Sequence, residues 1–442
     1  MSRRLLRMGW TLLAVLLCLS LVALTACGGG GGEYTLTISS TTGGSITPAT
    51  GTHSYPQGTV VNLTATAAAG YEFVNWTGGP VADANDPSTT ITMDGDYSIK
   101  ANFEGVEVPV VTLKAATYFG PTSDQAEMLD AFCDALESES GGRLSIPAAN
   151  RYWGGTLAGG PQLYGAAADG SIDIIFTMAG YTGASFPVTC GVFANPFGVP
   201  SAWVGTHVLT DFYNEFKPVE WQSTHPLFFS ASAPLVMYTS TAVRTLEDLS
   251  GKIIRTGPPN NPIIVGLGAA TSSLAQAEVL DAITKGQING CMIGCDGFSS
   301  WHLESAAKYT TFPYVAGLDV FITTMSNAAW NSLPADLQQV VTDVSADFVD
   351  DASTYWDNAN KDGMEIGLEA GVEFITLNAT ERAKWVTALE GVIPAWVTAM
   401  VGKGYAESDI NEWVDYIEQK VSYWTQEQID AGIPFLAGYP PS

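Results

Sequence analysis

The feature that most constrains the fold is a change in hydrophobic periodicity near residue 110. Before it, four short runs are typical of strands, namely YTLTI at 34–38, VVNLTA at 60–65, YEFVNW at 71–76 and SIKANF at 98–103. After it, strand-like runs such as 111–117 and 172–177 alternate with helical patterns such as 337–356. Thr122 or Ser123 can cap a predicted helix that runs to about Ser138, and a helix that begins at Thr380 should break at Pro394. A period of two is typical of half-buried strands, and alternating strands and helices are typical of α/β layers. The sequence therefore predicts a small all-β domain over residues 34–104 and, after a short linker, an α/β domain over residues 111–442.

The first 27 residues read as an export and processing signal. Three arginines within the first seven residues precede an almost wholly apolar run at 10–24, which ends in LTAC at 24–27. This predicts a signal peptide over residues 1–26 and resembles a bacterial lipobox cleaved before Cys27. The alternative is a membrane-spanning anchor, but the run is short for a span of about 20 residues. We expect a lipidated Cys27 and a glycine tether over residues 27–33, which would anchor the protein to the cell membrane on its extracytoplasmic (periplasmic or cell-surface) face.

Charge and cysteine content limit the partners and the redox chemistry. With 18 basic against 45 acidic residues, the formal net charge is -27. A nucleic-acid partner is excluded on this basis, because phosphate neutralisation needs a basic face. Export permits disulfides, but the sequence selects no pairing among the four cysteines that follow Cys27. Those four are Cys133, Cys190, Cys291 and Cys295. Cys133 lies on an apolar helical face, which favours a buried thiol.

The predicted all-β domain carries an ordered set of glycines and aromatic residues. They are GG at 43–44, Tyr55 followed by GT at 58–59, GYxFxxW at 70–76 and AxF at 101–103. This order resembles the divergent internalin-type B repeat of bacterial surface proteins. We expect its aromatic side chains to form the core, since a domain of about 70 residues needs large side chains to bury enough area. A spacer role is favoured over a ligand site.

The α/β region contains several ordered motifs. These are GGRL at 141–144, ADGSID at 168–173, NPF at 195–197, TLEDLSGKIIR at 245–255, ING at 288–290 and SLPADLQ at 332–338. Together they resemble the periplasmic receptor of tripartite ATP-independent periplasmic (TRAP) transporters, the C4-dicarboxylate-receptor-like family, over residues 110–440. The resemblance implies a two-lobed α/β domain of the periplasmic-binding-protein (Venus flytrap) type. It also implies a non-enzymatic receptor that closes on a small organic acid and delivers it to integral-membrane transporter subunits.

Arg255 is the principal ligand-binding candidate. It ends an apolar strand and precedes the turn GPPNNP at 257–262, which leads into a predicted helix. Ligands of open α/β sheets bind beyond the carboxyl ends of strands, and a helix N-terminus offers free N–H groups to an anion. A guanidinium can also grip a carboxylate through two parallel hydrogen bonds. The alternative is a surface arginine paired with an acid, whereas the resemblance implies that the matching arginine contacts the ligand carboxylate.

Two departures from the family pattern bear on the ligand. The run SASAPL at 230–235 lacks the second arginine that carboxylate-binding members often carry, and CMIG at 291–294 lacks their asparagine. Both changes remove polar contacts. They favour a monocarboxylate, an aromatic acid or a largely apolar acid over a dicarboxylate.

Further pocket candidates come from loops that follow predicted strands. Aromatic walls are typical of small-molecule clefts, because they bury much apolar area and can still offer a polar tip. The candidates are Tyr118, Phe119, Tyr152, Trp153, Met178, Tyr181, Asp296, Phe298 and Trp301. For each one, ordinary core packing is the alternative. Asp296 can accept from a ligand hydroxyl or cap the following helix.

Signals for catalysis, metals and cofactors are missing from the sequence. The four histidines have no metal-ligand spacing, and no GxSxG elbow, P-loop or dinucleotide-binding GxGxxG is present. We therefore expect no cofactor, no metal and no enzymatic activity. Two other functions stay open on the sequence alone. One is a cell-surface adhesion or scaffold protein, suggested by the B-repeat-like domain, and the other is an anchored hydrolase with a nucleophile–base pair in the cleft.

Overall fold

The computed structural model describes residues 32–68, 70–106, 109–272 and 274–436. The chain divides into two compact units, Met1–Val108 and Pro109–Ser442. The predicted signal peptide, the lipidation site Cys27 and nearly all of the glycine tether lie outside the described residues.

The first unit is built from β-strands. They are β1 (Glu33–Ser40), β2 (Gly44–Thr47), β3 (Gly51–Pro56), β4 (Val60–Ala67), β5 (Tyr71–Thr77), β6 (Ser88–Thr92) and β7 (Tyr97–Gly105). A four-stranded sheet has the order β3-β1-β7-β5, and a three-stranded sheet has the order β2-β4-β6. The four strands predicted from alternation correspond to β1, β4, β5 and β7. The polar strands β2, β3 and β6 were missed, because an alternating pattern needs apolar residues to be visible.

The core of this unit contains most, but not all, of the predicted aromatic residues. Trp76 and Phe103 are buried together with aliphatic residues of both sheets. Tyr71 differs from the prediction, since it is 41% exposed. Its ring covers Gly43, where a Cβ atom would lie only 2.1 Å from the Tyr71 ring carbon Cδ1. Glycine at this position therefore makes room for an aromatic ring at the surface.

The second unit combines strands and helices. Its strands are β8 (Val111–Thr112), β9 (Ala115–Thr117), β10 (Leu144–Ser145), β11 (Arg151–Tyr152), β12 (Ile174–Met178), β13 (Thr224–Ala231), β14 (Val236–Thr239), β15 (Ile253–Arg255), β16 (Ala270–Ser272), β17 (Gly290–Ile293), β18 (Tyr309–Phe312), β19 (Val320–Ser326) and β20 (Glu373–Thr376). Its helices are α1 (Asp124–Glu139), α2 (Gly160–Ala168), α3 (Thr189–Phe193), α4 (Ala202–Phe216), α5 (Asn261–Gly266), α6 (Val279–Thr284), α7 (Gly297–Trp301), α8 (Asn327–Ser332), α9 (Ala335–Glu369), α10 (Ala379–Leu389), α11 (Val392–Gly402) and α12 (Glu407–Asp430).

Two larger sheets define two lobes within this unit. The first lobe contains the sheet β11-β9-β12-β19-β13, and the second contains the sheet β16-β15-β17-β14-β18-β20. The chain passes from the first sheet to the second through residues 232–235 and returns through residues 313–319. Helix α9 packs against α1 and β13 of the first lobe and against α7 of the second. The predicted two-lobed α/β architecture, preceded by a small all-β domain, is therefore confirmed.

Local sequence signals explain the principal helices. The Ser123 hydroxyl accepts a hydrogen bond from the N–H of Ala126 at the start of α1, which is an N-cap of the predicted kind. In α9, apolar residues recur every three or four positions and face the core, as the periodicity predicts. They are Leu337, Val341, Val344, Phe348, Ala352 and Trp356.

Two predictions of element boundaries were wrong. The single strand predicted over residues 111–117 is two short strands, β8 and β9, which belong to different sheets. The helix break expected at Pro394 lies earlier, between the end of α10 at Leu389 and the start of α11 at Val392. Pro394 occupies the first turn of α11, where a missing N–H costs no helical hydrogen bond.

Residues Ala379–Gly402 are also apolar enough, by length and composition, to cross a membrane, with a mean hydropathy of 1.3. In this unit they form two separate helices, α10 and α11. Trp385 and Leu389 of the first and Val392 of the second are buried in the core of the second lobe. We therefore interpret the stretch as part of the α/β unit.

Candidate functional site

A cavity lies between the two lobes, beyond the carboxyl ends of parallel strands. Tyr118 and Phe119 follow β9, Met178 ends β12, and Arg255 ends β15. Tyr181, Ser232, Gln276, Ile293, Asp296, Trp301, Asp319, Phe321 and Trp356 complete its wall with four glycine and proline residues. Strand ends of this kind are where open α/β sheets bind ligands. The position of the cavity is therefore that of a binding cleft.

The interlobe cavity is smaller than a groove elsewhere on the same unit. The interlobe cavity measures about 70 Å³, whereas a groove beside α12 measures about 670 Å³. The groove contains one arginine, Arg382, whose guanidinium carbon lies 4.0 Å from the centre of the Tyr314 ring. The interlobe cavity instead gathers a cation, two carboxyl groups and several aromatic rings from both lobes. Such convergence of polar groups within an apolar wall is typical of ligand sites, so this cavity is the candidate functional site.

Arg255 is held in place but keeps part of its hydrogen-bonding capacity. Its Nε–H donates to the backbone oxygen of Leu274 at 3.1 Å, and its guanidinium carbon lies 5.2 Å from the centre of the Trp301 ring. Arg143, Arg151 and Arg244 each form an ion pair with a carboxylate. Among the described residues, no carboxylate forms such a pair with Arg255. The side chain is thus a pre-positioned cation at the cavity wall.

Aromatic rings form much of the wall. The Tyr118 ring stacks on Phe119 with 4.2 Å between centres and meets Tyr181 edge-on at 5.3 Å. Phe321 lies 4.4 Å from Trp356, measured between ring centres. The two tyrosines also need a glycine at position 160. A Cβ atom on Gly160 would lie 2.7 Å from the Tyr181 ring and 3.2 Å from the Tyr118 ring.

Two acidic side chains face the same cavity. Burial raises the pKa of Asp296 to about 7, and the nearby charge of Asp319 adds to this effect. Burial also raises the pKa of Asp319 to about 6, against the lowering influence of Arg255 and of a hydrogen bond from Asn260. The Asn260 Nδ2 atom donates to the Asp319 Oδ1 atom at 3.0 Å. Both carboxyl groups therefore titrate near neutral pH and respond to any charge that enters the cavity.

The tyrosine hydroxyls are kept neutral. Burial raises the pKa of Tyr118 well above its usual value, and the charges of Asp319 and Asp296 add to this effect. Burial also raises the pKa of Tyr181, opposed by a hydrogen bond with Tyr118 and by the charge of Arg255. The Tyr181 hydroxyl donates to the side-chain oxygen of Gln276 at 3.4 Å. Both hydroxyls can thus act as hydrogen-bond donors or acceptors.

The structure brings most of the predicted site residues together. Those that line the cavity are Arg255, Tyr118, Phe119, Met178, Tyr181, Asp296 and Trp301. Their roles in binding stay a prediction. Asp296 directly precedes α7, but its side chain forms no cap hydrogen bond with that helix.

Three aromatic candidates lie elsewhere. Trp153 packs against the core of the first lobe, and its indole N–H donates to Asp130 at 3.1 Å. Tyr152 packs against a separate small cluster beside α2. Phe298 is fully buried in the second lobe, where its ring contacts Tyr238 at 4.7 Å. For each of them, core or surface packing accounts for the side chain, because a residue next to a strand end can point away from the cleft.

The helix expected after Arg255 also differs from the prediction. Helix α5 has only six residues, and Asn260 at its N-cap makes no side-chain cap hydrogen bond. Gly257 and Pro258 line the cavity, whereas the first residues of α5 do not. The anion-binding contribution expected from this helix N-terminus is therefore not seen, and the cation at the site is Arg255 itself.

Several lining residues were not predicted from the sequence. Ser232 and Asp319 lie on the two segments that cross between the lobes, and they are joined by backbone and side-chain hydrogen bonds. Trp356 comes from the middle of α9, where it belongs to the periodic apolar face. No local pattern distinguishes these residues. Asp319 could be identified only by knowing that two interlobe crossovers, which are distant in sequence, pair with each other in the fold.

The four cysteines of the α/β unit are not paired in disulfides. Cys133, Cys190, Cys291 and Cys295 are free thiols, and all four are buried. Burial raises the pKa of Cys291 to about 12. Within residues 32–68, 70–106, 109–272 and 274–436, no group of three or more His, Cys, Asp or Glu side chains is placed to hold a metal ion.

The fold and the cleft define a two-lobed solute-binding protein. Solved structures of TRAP solute-binding proteins have the same fold. A protein from Rhodoferax ferrireducens, in complex with copurified benzoate, superposes with a TM-score of 0.66 at 24% identity, covering 72% of this chain and 99% of its own. A marine metagenome protein specific for aromatic acid ligands, with 3-hydroxybenzoate, gives 0.66 at 23% identity, covering 72% and 99%. A Bordetella bronchiseptica protein with bound mandelate gives 0.64 at 18% identity, covering 71% and 99%.

The family assignment follows from the sequence. Residues 115–398 match the bacterial extracellular solute-binding protein family 7, also called DctP. The chain belongs to this family, whose members are extracytoplasmic solute-binding receptors and not enzymes. Residues 34–107 match the divergent InlB B-repeat domain. The two resemblances noted in the sequence are therefore confirmed.

Proposed function

We propose that this protein captures a small organic monocarboxylate between its two lobes and delivers it to the membrane subunits of a TRAP-type transporter. Arg255 is the carboxylate anchor. The observation that carries this proposal is a guanidinium fixed at the wall of an interlobe cavity and paired there with no described carboxylate. Closure of the lobes around the ligand would then give the transporter subunits a surface that differs from that of the open receptor.

The chemistry of the wall supports a ligand with one carboxylate and an apolar body. The Nη atoms of a guanidinium form two parallel, charge-assisted hydrogen bonds with one carboxylate. Several aromatic side chains line the cavity with Arg255, and its other charged lining groups are two acids. A second ligand carboxylate would face these acids without a cation of its own. The aromatic acids bound by proteins of this fold agree with such a pocket.

The other two functions considered from the sequence receive less support. An anchored hydrolase needs a nucleophile next to a base, and no histidine is among the described residues that line the cavity. An adhesion protein needs a binding surface on the B-repeat unit, whose buried residues form an ordinary two-sheet core. A spacer role for residues 34–104 fits this unit better.

A thermal-shift screen on the full-length chain tests the receptor function. Benzoate, mandelate and phenylacetate represent monocarboxylates, and succinate represents dicarboxylates. We expect at least one monocarboxylate to raise the melting temperature in a concentration-dependent manner, because a ligand that binds only the native state stabilises it. Succinate should have a smaller effect. Stabilisation by succinate alone, or by none of a broad set of organic acids, would contradict the proposal.

Lipid anchoring at Cys27 is a separate part of the proposal. It rests on the LTAC sequence and on the apolar run before it. In cells that carry the lipoprotein-processing enzymes, the wild-type chain should incorporate labelled palmitate and sediment with membranes. The Cys27→Ser variant should do neither, while Cys133→Ser serves as the matched control. Equal labelling of wild type and Cys27→Ser would contradict anchoring at this residue.

A further inference from the structure

The interlobe cavity carries a charge pattern that a simple carboxylate does not satisfy. Arg255 is the only cation among its described lining residues, whereas Asp296 and Asp319 are both acidic. A ligand with a single carboxylate would neutralise Arg255 and add a negative charge beside two acids. The cavity therefore contains more negative than positive groups before any ligand enters.

Neither acid forms an ion pair within the described part of the protein. Among the described residues, no lysine, arginine or histidine forms an ion pair with either carboxylate. One oxygen of Asp319 accepts the hydrogen bond from Asn260, a neutral amide that is fully buried. The carboxyl group of Asp296 lies over Gly294, where a Cβ atom would lie only 2.5 Å from Oδ1. The charge of Arg255 acts on Asp319, but two acids share this single cation in a cavity that burial makes unfavourable for charged groups.

The backbone holds both acids in fixed positions. The N–H of Asp319 donates to the Ser232 hydroxyl at 3.1 Å, and the N–H of Ser232 donates to the Asp319 carbonyl oxygen at 2.9 Å. The N–H of Asp296 donates to the side-chain oxygen of Asn360 at 3.2 Å. Asp319 is thus fixed to the paired crossovers between the lobes, and Asp296 to α9. Both acids belong to a built site rather than to a mobile surface.

We infer that the ligand is a zwitterion, whose carboxylate binds Arg255 and whose ammonium group binds Asp296 and Asp319. This inference rests on the proposed receptor function and specifies the substrate class of the same cavity. An ammonium group has three donors and one positive charge, so it can serve two carboxylates at once. A zwitterion adds no net charge to a cavity that already contains one cation and two acids, whereas a simple carboxylate adds a further negative charge.

The acids also predict a proton signature of binding. The groups that face Asp296 are Asp319, Asp124 at the start of α1, Tyr118, Tyr238, Cys295 and the Ser300 hydroxyl, whose hydrogen bond favours the ionised form. The groups that face Asp319 are Arg255, Asn260, Tyr118, Tyr181, Cys190 and Asp296. Burial raises the pKa of Asp296 to about 7 and that of Asp319 to about 6, so both are partly protonated at pH 6.5. An ammonium group favours their ionised forms, and binding should therefore release protons. A carboxylate without an amine favours the protonated forms, and its binding should take up protons.

A matched set of ligands separates the possibilities. Phenylacetate, mandelate and phenylglycine share a carboxylate and a phenyl ring and differ at the α-carbon in carrying hydrogen, hydroxyl or ammonium. Propionate, lactate and alanine repeat the comparison without the ring. Calorimetric titration of the full-length chain at pH 6.5, in two buffers of different ionisation enthalpy, gives the dissociation constant and the number of protons exchanged. In at least one series, the amine should bind roughly 10-fold or more tightly than the unsubstituted acid, as expected for a charged hydrogen bond, with proton release.

Variants assign the effect to the two acids. Asp319→Asn and Asp296→Asn should each weaken binding of the amine by roughly 10-fold and leave binding of the unsubstituted acid equal or tighter. Asp281→Asn is the matched control, because Asp281 is an exposed acid of the second lobe that pairs with Lys285. If either Asn variant unfolds, the proton count of the wild-type protein still decides between the ligand classes.

The outcomes distinguish the inference from the function on which it rests. Equal or tighter binding of the unsubstituted acid or of the hydroxy acid, with proton uptake, overturns the zwitterion and leaves the organic-acid receptor intact. Binding of no acid in either series overturns both. Tighter binding of the amine that persists in Asp296→Asn and Asp319→Asn would also overturn the inference, because the ammonium group would then lie elsewhere.

Discussion

Replacement of Arg255 tests the recognition chemistry at the atom where we expect the ligand to be held. The Arg255→Ala change removes the guanidinium, its stacking on Trp301 and its hydrogen bond to Leu274, but leaves the strand β15 intact. The side chain is half-buried and is not part of the hydrophobic core. We therefore expect the variant to fold and to lose ligand affinity.

The size of the loss follows from the contacts available. Two charge-assisted hydrogen bonds contribute about 1.5–3 kcal/mol each, so their removal should cost about 3–6 kcal/mol. This corresponds to a rise in the dissociation constant of roughly 10²-fold to 10⁴-fold. Arg255→Lys keeps the charge and loses the planar fork and part of the stacking on Trp301. Its affinity should fall by about 1–2 kcal/mol, or roughly 5- to 30-fold.

Calorimetric titration with the tightest-binding acid from the thermal-shift screen measures these losses. Arg244→Ala is the matched control, since Arg244 lies in the same lobe, is half exposed and pairs with Glu373 at the surface. Its affinity should equal that of the wild type. Binding by Arg255→Ala within about threefold of the wild type, a difference of under 1 kcal/mol, would refute the anchor role. The receptor assignment would then rest on family membership and fold.

The remaining predictions concern stability and the residues outside the cavity. Asp296 and Asp319 have folded pKa values near 7 and 6, above the unfolded value of about 3.9, so the native state binds more protons than the unfolded state between about pH 4 and pH 7. The free energy of unfolding, measured with urea, should therefore fall by a few kcal/mol as the pH rises through this window. The dependence of this free energy on pH should be weaker in Asp296→Asn and in Asp319→Asn. An unchanged pH dependence in both variants would contradict the raised pKa values of the two acids. Phe298→Ala should lower the free energy of unfolding by about 3–5 kcal/mol, because the ring is fully buried; a loss below about 1 kcal/mol would argue against that packing. Trp153→Phe should change ligand affinity by less than about twofold and lower the free energy of unfolding by about 1 kcal/mol, because the indole N–H donates to Asp130 outside the cavity. A large loss of affinity would instead indicate that Trp153 contacts the ligand.

The fold was largely predictable because its signals are local. The Ser123 cap, the apolar periodicity of α9 and the alternation of β1, β4, β5 and β7 each fall within one element. Such signals act over a few residues and are visible in the sequence. The polar strands β2, β3 and β6 and the division of residues 111–117 between two sheets depend on pairing with distant strands, so no local pattern predicts them.

The site was predictable only in part, for the same reason. Met178 and Arg255 end strands and Tyr118 follows one, and the rule that ligands bind beyond strand ends predicts their position at the cavity wall. Trp153 and Phe298 lie next to similar positions but point into packed regions, because side-chain direction depends on the tertiary fold. Asp319 was missed because its place in the cavity results from two crossovers that pair across 87 residues of sequence.

A crystal structure of the receptor with its tightest-binding carboxylate shows at once whether Arg255 holds the ligand. We expect the ligand between the lobes, with both carboxylate oxygens about 2.7–2.9 Å from the Nη atoms of Arg255, as in a bidentate pair. A ligand bound in the groove beside α12, or a carboxylate in the interlobe cavity that does not contact Arg255, would contradict this expectation.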